Sequence, residues 1–505
     1  MKITLTQLAK RLPESYVVGP DVTITDVTHD SRKVASGFAY AAMTGSHSNG
    51  YDFVQTAVEL GASAIICSEP TLISPAISNQ ISLLVVPSVR QTLGQIACEV
   101  YDHPSSRVSL VGVTGTNGKT TTSFLLDAAL SHGDLATGVI GTIEVRSANK
   151  RVGSTFTTPE GPDLQYLLNE MANGGADVVS MEVSSHGLDQ YRVDGTFFRL
   201  GIFTNLSPEH LDYHGTMEQY FYAKSKLFDR NRCSKAIINV DDPWGRRLSH
   251  IVSIPVATFG HAADADYRIT DVDVDLSRTT FTLTNNGNSY QISTKIIGAI
   301  NAYNAAAAFI AALELEVSPD DAAKGIEECE SVDGRFQIVR AGQPGMVVVD
   351  YAHTPDSIAN LIHTVRSLIA PTGKVYAIGG ARGGRDRFKR PTLGASLAMA
   401  DVAILTTDNP GDEDPEAIAM QLFLGTLDSH ACDVRVIIDR SEAIAFAVQN
   451  ATENDAVVIV GRGHETTIRI GSKIVHLDDR EEVAKAATQF TTSEAASSSF
   501  ESLAI

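Results

Sequence analysis

The sequence contains few of the features that mark a secreted or membrane-spanning protein. Only five of its 505 residues are cysteine, and no two of them form a Cys-x-x-Cys pair. We therefore expect reduced, mostly buried thiols, with neither a disulfide framework nor a zinc site. The start of the chain lacks the apolar segment of a signal peptide, and no run of about 18 apolar residues occurs. We expect a cytoplasmic protein with no stable membrane association.

Positive charge is also scarce. The 60 acidic residues outnumber the 40 lysines and arginines, and the resulting net charge of −20 argues against broad binding to nucleic acids. The composition is otherwise ordinary for a folded protein, with 43% hydrophobic and 20% charged residues. The length predicts about three domains of roughly 150 residues each.

One stretch combines the features of a phosphate-binding loop. The β-branched run 108–113 predicts a buried strand, a glycine-punctuated turn follows, and the apolar periodicity of 123–130 predicts a helix. Glycine lets backbone N–H groups approach an anion, and the helix N-terminus adds partial positive charge. Lys119 would reach the β- and γ-phosphates, and the Thr120 hydroxyl would bind Mg²⁺. The loop is a variant, because Val113 stands where the common pattern has its first glycine. A purely structural turn is the alternative.

Strands and helices alternate along the chain, which predicts an α/β fold with three domains. Residues 1–105 form a small α/β domain. Residues 106–336 carry the phosphate loop and three further apolar strands, as expected of a central doubly wound ATPase domain. Residues 337–490 contain five strands of a second, Rossmann-like sheet, and the Ser/Ala/Glu-rich tail 491–505 is predicted to be disordered.

Several polar residues follow predicted strands, at the ends where parallel sheets bind ligands. Glu182 could hold Mg²⁺ there, or it could cap a helix. His210 could be a second metal ligand or an ordinary histidine, and Lys224 has the usual features of a solvated lysine. Asn301 and Asn304 share one helix face, where two amides could read a base or ribose and N-capping would explain only one of them.

Two other groups of polar residues suggest binding surfaces. In the third domain, four polar loops follow strands on one side of the predicted sheet, at 350–355, 379–387, 408–411 and 461–465, and the last three contain glycine. In the first domain, Ser31, Arg32 and His47 could line a polar pocket, or they could be turn and surface residues.

Six stretches, taken together, resemble the Mur ligase family: 114–121 (TGTNGKTT), 181–188 (MEVSSHGL), 204–215 (TNLSPEHLDYHG), 238–242 (INVDD), 350–356 (DYAHTPD) and 461–465 (GRGHE). The second and fifth resemble the MurE type, which adds the third amino acid of the peptidoglycan stem peptide. The resemblance spans about residues 24–490. It implies an ATP-dependent ligase of cell-wall synthesis that joins UDP-N-acetylmuramoyl-L-alanyl-D-glutamate to a free diamino acid through an acyl phosphate.

The resemblance also implies roles for individual residues. ATP would bind Gly115, Thr116, Asn117, Gly118, Lys119, Thr120, Thr121, Asn301, Asn304, Arg335 and Asp350. Two Mg²⁺ ions would be held by Thr120, Glu182, His210 and a carbamylated Lys224. The catalytic set would be Lys119, Glu182, His210 and Lys224. Lys226 is a close alternative for the carbamylated position.

The same resemblance implies two further substrate sites. The UDP-linked substrate would bind Ser31, Ser46, His47, Thr157, Thr158, Ser184, Gln190 and Arg192. The amino acid would bind Arg385, Asp408, Asn409, Gly461 and Glu465, with Arg385 taking the α-carboxylate. The spacing around Arg385 departs from that of the family, so this role could belong to a residue one or two positions away.

The third substrate depends on the residue after Asp-Asn-Pro. Family members that use meso-diaminopimelate resemble one another in carrying arginine there, whereas this chain has Gly411 followed by the acidic run 412–414. Without that arginine the distal carboxylate would be buried unpaired, and an acidic loop suits a distal ammonium. We predict L-lysine, then L-ornithine, then diaminopimelate.

Three alternative functions remain at this stage. A related ligase such as folylpolyglutamate synthase would share the loop and the acyl phosphate. A catalytically silent nucleotide-binding scaffold would bind ATP without substrate-dependent ADP release. A nucleic-acid motor is disfavoured by the acidic composition. We expect a monomer with no nucleic-acid partner.

Overall fold

The computed structural model describes residues 2–45, 48–147, 150–154, 156–330, 332–429 and 432–488. The tail that was predicted to be disordered lies outside these residues. The described residues form two compact units. The first contains those of 1–206, 218–267 and 307–325, and the second contains those of 207–217, 268–306 and 326–505. No described helix is long and apolar enough to cross a membrane.

The first hundred residues form an α/β region with one five-stranded sheet and a separate two-stranded sheet. Its elements are strands β1 (Ile3–Thr4), β2 (Tyr16–Val18), β3 (Thr23–Ile24), β4 (Asp26–Thr28), β5 (Phe38–Ala41), β6 (Ala64–Cys67) and β7 (Ser82–Val85), with helices α1 (Leu5–Arg11), α2 (Val54–Glu59), α3 (Pro75–Ser78) and α4 (Val89–Val100). The strand order is β2-β7-β6-β5-β4, with β2 antiparallel to β7. Apolar clusters cover both faces, as a largely parallel sheet requires.

The alternation of residues 22–27 predicts a single strand, but the structure divides this run into two. Thr25 bends the chain, because both its N–H and its hydroxyl bond to the Gly37 carbonyl. The bend divides the run into β3, which pairs with β1, and β4, which joins the sheet.

The second sheet is built around the predicted phosphate-loop strand. Its strands are β8 (Ser109–Thr114), β9 (Thr137–Ile140), β10 (Glu144–Ser147), β11 (Lys150–Gly153), β12 (Val178–Glu182), β13 (Leu200–Phe203), β14 (Ala236–Asn239) and β15 (Val256–Gly260). Its helices are α5 (Lys119–His132), α6 (Gly161–Asn173), α7 (Ser185–Asp189), α8 (Leu211–His214), α9 (Met217–Ser225) and α10 (Pro243–Ile251). The parallel order β9-β12-β8-β13-β14-β15 brings the ends of β12, β8 and β13 side by side.

Two antiparallel features were not predicted from the sequence. The hairpin β10–β11 extends one edge of the second sheet. The chain then forms the meander β16 (Tyr267–Val274), β17 (Thr279–Asn285) and β18 (Asn288–Thr294). Helices α11 (Ile300–Glu314) and α12 (Pro319–Glu328) follow. Both features are polar and alternating, unlike the continuous apolar runs that revealed the parallel strands.

The third sheet has the Rossmann-like architecture expected. Its strands are β19 (Gln337–Val339), β20 (Met346–Asp350), β21 (Val375–Gly379), β22 (Val402–Leu405), β23 (Asp433–Val436) and β24 (Ala456–Val460), followed by the hairpin β25 (Thr467–Ile470) and β26 (Lys473–His476). Its helices are α13 (Pro355–Leu368), α14 (Arg390–Leu397), α15 (Pro415–Leu424) and α16 (Arg440–Asn450). The order is β19-β20-β24-β21-β22-β23, and only β19 is antiparallel. The loops after β20, β24, β21 and β22 therefore meet at one edge.

Candidate active site

The predicted phosphate loop lies between β8 and α5, and glycine is required at both of its bends. Gly115 has a φ of +149° and Gly118 a φ of +87°. A Cβ on Gly115 would lie 1.9 Å from Thr204 Oγ1. The neighbouring strand braces the loop, since Asn205 bonds to the N–H groups of Thr116 and Asn117 at 2.9 and 3.0 Å. The loop is thus held in a shape that only glycine adopts without strain.

Two lysines reach the same oxygen of this loop. Lys119 Nζ donates to the carbonyl oxygens of Gly115 at 2.9 Å and Thr116 at 2.8 Å. Lys224 Nζ donates to the Gly115 oxygen at 2.8 Å and lies 4.8 Å from the Tyr220 ring centre. The Lys224 residue is 1% exposed, so it is not the solvated lysine that its local sequence suggested. Two ammonium groups this close together favour an anion between them.

The structure separates Lys224 from its sequence alternative. Lys226 bonds to Asp189 at 2.8 Å, and its side chain is 40% exposed. Of the hydrogen bonds that these two lysines make to described residues, only that of Lys224 reaches the phosphate loop. The two-residue offset matters because Lys224 lies on the buried side of α9, whereas Lys226 begins the short 3₁₀ turn Lys226–Phe228.

Glu182 lies at the end of β12 directly beside the phosphate loop. It is buried, and its Oε1 accepts hydrogen bonds from Thr120 Oγ1 at 2.9 Å and from the Thr142 N–H at 2.8 Å. The Thr142 hydroxyl bonds to Oε2 at 3.0 Å. A hydroxyl and a carboxylate in contact are the hard oxygen ligands that Mg²⁺ prefers. The described residues contain no group of three or more His, Cys, Asp or Glu side chains in a metal-binding arrangement.

Most residues predicted to hold the UDP-linked substrate form one network next to Glu182. Thr158 Oγ1 lies 3.0 Å from both the Glu182 carbonyl oxygen and Ser184 Oγ. Arg192 donates to the Thr158 carbonyl at 3.0 Å and to Gln190 at 2.8 Å. Thr157 bonds to the same Thr142 hydroxyl that contacts Glu182. Sequence-distant residues therefore converge at the end of β12.

Two features of this substrate region go beyond the sequence prediction. Arg192 also pairs with Glu160 at 3.0 Å, so a substrate carboxylate would compete with that side chain. Ser31 is buried in a 3₁₀ turn that Asp30 caps. Ser46 and His47 lie outside the described residues.

The predicted second metal ligand, His210, lies in the second compact unit. It begins α8 with a φ of +56°, and its side chain is 38% exposed. Its Nδ1 is 3.9 Å from Glu209, which in turn pairs with Lys389 at 2.8 Å. A half-exposed imidazole is accessible to a ligand.

The two predicted amides of the nucleotide site form a short ladder on α11. Asn304 Nδ2 donates to Asn301 Oδ1 at 2.8 Å, and Asn301 Nδ2 donates to the Ile297 carbonyl at 2.9 Å. Both residues are buried. The shared helix face predicted from their spacing is confirmed.

Arg335 and Asp350 meet at the start of the third sheet. The Asp350 carboxylate accepts the N–H groups of Phe336 and Ala352, both at 2.6 Å. Burial raises the pKa of Asp350 above its usual value, while Arg335 and these N–H groups act in the opposite direction. The Arg335 guanidinium lies 4.6 Å from the centre of the Tyr351 ring.

Four of the five residues predicted to bind the amino acid also converge. Asn409 donates to Glu465 Oε2 at 2.9 Å and to Asp408 at 3.3 Å. A Cβ on Gly461, which has a φ of +104°, would lie 2.5 Å from Asp408. The cluster has two carboxylates and needs a cation.

That cation is Arg382, which the sequence analysis did not select. Arg382 bonds to Glu465 and lies 5.7 Å from the Tyr351 ring centre. Burial acts to lower the pKa of Arg382. The charges of Asp408, Tyr351 and Glu465 outweigh burial and hold that pKa above its usual range. Arg385 is instead exposed, and the structure gives it no hydrogen bond or ion pair with any described residue.

The acidic run after Gly411 does not form the binding surface that the sequence suggested. The Glu413 carboxylate accepts hydrogen bonds from Nη1 and Nη2 of the buried Arg390, at 3.0 and 3.1 Å. Hydrogen bonds from Arg390 and the Gly384 N–H lower the pKa of Glu413 to about 2. Asp412 pairs with Arg469 at 3.2 Å, and Asp414 caps α15. These carboxylates already have partners, so that part of the argument for lysine is wrong.

Three family models match consecutive parts of the chain. They are the Mur ligase family catalytic domain over residues 23–101, the Mur ligase middle domain over 113–312, and the Mur ligase glutamate ligase domain over 334–463.

Similar proteins cover nearly the whole chain. The UDP-N-acetylmuramoyl-L-alanyl-D-glutamate–2,6-diaminopimelate ligase of Streptomyces coelicolor is 40% identical, covering 96% of this chain and 97% of its own. The protein of the same name from Geobacillus kaustophilus is 38% identical, with coverage of 96% and 99%.

Solved structures give the same result. A structure with that ligase name is 31% identical, with a TM-score of 0.66 and coverage of 97% and 100%. A Mycobacterium tuberculosis folylpolyglutamate synthase with ADP and AMPPCP matches at 18% identity, with a TM-score of 0.60 and coverage of 74% and 92%. The latter similarity shows the fold alone.

Proposed function

The chain belongs to the Mur ligase family of ATP-dependent amide ligases, and from this membership we propose that it adds a diamino acid to UDP-N-acetylmuramoyl-L-alanyl-D-glutamate. One observation carries the proposal. Glu182 contacts the phosphate-loop residue Thr120 through its carboxylate and the substrate-network residue Thr158 through its carbonyl. A phosphoryl donor and a carboxylate acceptor would therefore meet at the end of β12.

The chemistry explains why these residue types are needed. The D-Glu carboxylate attacks the γ-phosphorus of ATP, which forms an acyl phosphate and releases ADP. The amine of the diamino acid then attacks the acyl carbon, and phosphate leaves as the amide bond forms. Both steps bring anions together, and Lys119 beside the loop would neutralise charge on the transferring group. Mg²⁺ held by Thr120 and Glu182 would supply further charge neutralisation.

We propose that Lys224 carries a carbamate in the active enzyme and that His210 belongs to a second Mg²⁺ site. Carbamylation joins CO₂ to the neutral lysine amine and releases a proton, so a cation becomes an anionic oxygen ligand. The shared Gly115 oxygen supports this, because removing one of two adjacent positive charges relieves their repulsion. Intact mass spectrometry at neutral pH with bicarbonate should show an added CO₂ that is absent from Lys224→Arg.

The remaining binding residues keep their proposed roles. Asn301, Asn304, Arg335 and Asp350 would bind the nucleotide, and Ser31, Ser46, His47, Thr157, Thr158, Ser184, Gln190 and Arg192 would bind the UDP-linked substrate. The amino acid would lie on Asp408, Asn409, Gly461 and Glu465, with Arg382 in place of Arg385 as the partner of its carboxylate.

We propose L-lysine as the diamino acid, followed by L-ornithine. Gly411 supports this choice, because it offers no side chain to a distal carboxylate and leaves the carboxylates of Asp408 and Glu465 to receive a distal ammonium. Diaminopimelate is the third candidate, and it is the amino acid that the names of the relatives carry.

The test is a ligation assay on purified protein. ADP release and product mass are measured with the UDP-linked dipeptide, ATP and each of lysine, ornithine and diaminopimelate. Lysine should give the highest kcat/KM. Turnover with diaminopimelate alone would overturn the lysine assignment, and turnover only with a folate substrate would overturn the function. ATP binding without substrate-dependent ADP release would indicate a silent scaffold.

We further propose three domains, 1–105, 106–336 and 337–490, in a monomer that acts in the cytoplasm. The three matched family models support the division, since each lies within one proposed domain apart from three residues of the last.

A further inference from the structure

Two other side chains hold the Glu465 carboxylate in the amino-acid cluster. Arg382 bonds to its Oε1, and Asn409 bonds to its Oε2 at 2.9 Å. A substrate carboxylate arriving in this cluster would compete for Arg382, the stronger of these partners. Glu465 would then need another cation to hold it in place while it accepts an ammonium.

A second arginine lies behind Glu465. Arg462 is fully buried between Gly461 and Gly463, whose φ angles of +104° and +50° turn the loop around it. Its Nη1 lies 4.0 Å from Glu465 Oε2. Within the described part of the chain, Nη1 and Nε of Arg462 have no hydrogen-bond partner.

The other arm of Arg462 is fixed. Its Nη2 donates to the carbonyl oxygens of Thr467 at 3.1 Å and Leu477 at 2.7 Å, which lie at the two ends of the β25–β26 hairpin. The guanidinium is therefore anchored on one side and unsatisfied on the side of Glu465.

The residues around Arg462 make an additional contact with a carboxylate favourable for it. Arg440 is also buried, but its Nε and Nη2 both donate hydrogen bonds to the Asp479 carboxylate at 2.7 Å. Asp479 is 3.8 Å from Arg462, too far for a hydrogen bond. Burial and the charge of Arg440 lower the pKa of Arg462 below its usual value. A buried arginine beside another arginine gains more from an approaching carboxylate than an exposed one does.

We propose that Arg462 is a positioning residue of the amino-acid site, which holds the Glu465 carboxylate in place when the incoming amino acid draws Arg382 away. The inference rests on the proposed function, but it holds for any diamino acid with an ammonium that Glu465 receives.

The test compares Arg462→Gln with Arg462→Lys in the full chain. Michaelis constants are measured for ATP, the UDP-linked dipeptide and the amino acid. Arg462→Gln should raise the amino-acid KM about tenfold or more, because Glu465 then loses the cation that holds it in place. Arg462→Lys keeps the charge and should remain within about threefold of the wild type. The ATP constant should change little in either variant.

A merely structural role would give a different pattern. Both substitutions lose the paired bonds to Thr467 and Leu477, so their KM values would then change together and for all three substrates. Arg480→Gln is the matched control, because it removes an arginine that pairs with Asp478 and should leave the amino-acid KM unchanged.

The outcomes are distinguishable. An unchanged amino-acid KM in Arg462→Gln, with an active wild type, would overturn this inference alone. A wild type that ligates no diamino acid would overturn the proposed function and the inference with it.

Discussion

The Lys119 ammonium donates to two carbonyl oxygens of its own loop. This arrangement satisfies the ammonium while leaving it close to where the γ-phosphate would bind. If a phosphate anion replaced these carbonyl oxygens as the acceptor, each hydrogen bond of Lys119 would be stronger, because both partners would then be charged.

Replacing this ammonium should abolish most of the activity. Lys119→Met is expected to lower kcat by about 10²–10³, as losing one donor to a charged transition state typically does. The measurement is ADP release at saturating substrates. Lys226→Met is the matched control, since that lysine pairs with Asp189 outside the loop and should keep near-normal kcat. Equal losses in the two variants would contradict a specific role for Lys119.

Gly411 offers a test of amino-acid choice at the level of one side chain. Gly411→Arg should raise kcat/KM for diaminopimelate relative to lysine by about tenfold or more, because the new guanidinium can pair with the distal carboxylate. No atom lies within 4 Å of a Cβ at this position, so space is available, although its φ of +58° costs about 1 kcal/mol. Gly411→Met carries the same strain without the charge, and an identical change in both variants would refute the explanation.

At the scale of elements, the phosphate loop depends on the strand next to it. Gly115→Ala places a Cβ 1.9 Å from Thr204 Oγ1 in a backbone conformation that alanine avoids. We expect a loss of about 1–3 kcal/mol in the free energy of unfolding and at least a tenfold loss of turnover. Denaturant unfolding and ADP release measure the two effects. Gly153→Ala, which meets no atom within 4 Å, should change neither.

The loops after β20 and β24 carry two histidines that should make stability depend on pH. Burial first, and then neighbouring cations, lower the pKa of His353 to about 3 and that of His464 to about 4. Above pH 6.5 both histidines are neutral whether the chain is folded or unfolded. Below it, the unfolded chain binds protons that the folded chain does not, so stability falls as pH drops.

The slope of that dependence can be measured. Each histidine should contribute up to about 1.4 kcal/mol per pH unit between pH 6.5 and its folded pKa. Urea unfolding at several pH values should show a shallower slope for His464→Gln than for the wild type. His476→Gln removes an exposed histidine and should leave the slope as it is. A wild-type stability independent of pH over this range would rule out the buried neutral state.

For the whole molecule, the proposed domain boundaries fall between elements. One follows α4 at the short turn Pro104–Ser106, and the other lies between α12 and β19. Both regions include exposed residues, such as Asp102 and Asp333. Limited proteolysis should therefore make its first cuts near 102–107 and 329–336, as mass spectrometry of the fragments would show. First cuts inside the β16–β18 meander would argue against these boundaries.

The sequence alone identified the apolar parallel strands, the phosphate loop and the family. Strands buried on both faces must be continuous apolar runs, and a loop that cradles phosphate must contain glycine. These constraints are local, so they are visible in short stretches. The polar antiparallel strands β10, β11 and β16–β18 carry no such signature and were missed.

Tertiary structure decided which polar groups have partners. The acidic residues after Gly411 suggested a pocket for an ammonium, yet Arg390, Arg469 and a helix N-terminus already bind them. Arg382 proved to contact Glu465, and Lys224 proved to be buried, because burial and pairing depend on residues distant in sequence. The sequence determined which chemical groups this protein has; only the packing of its sheets determined which of those groups remain available to a substrate.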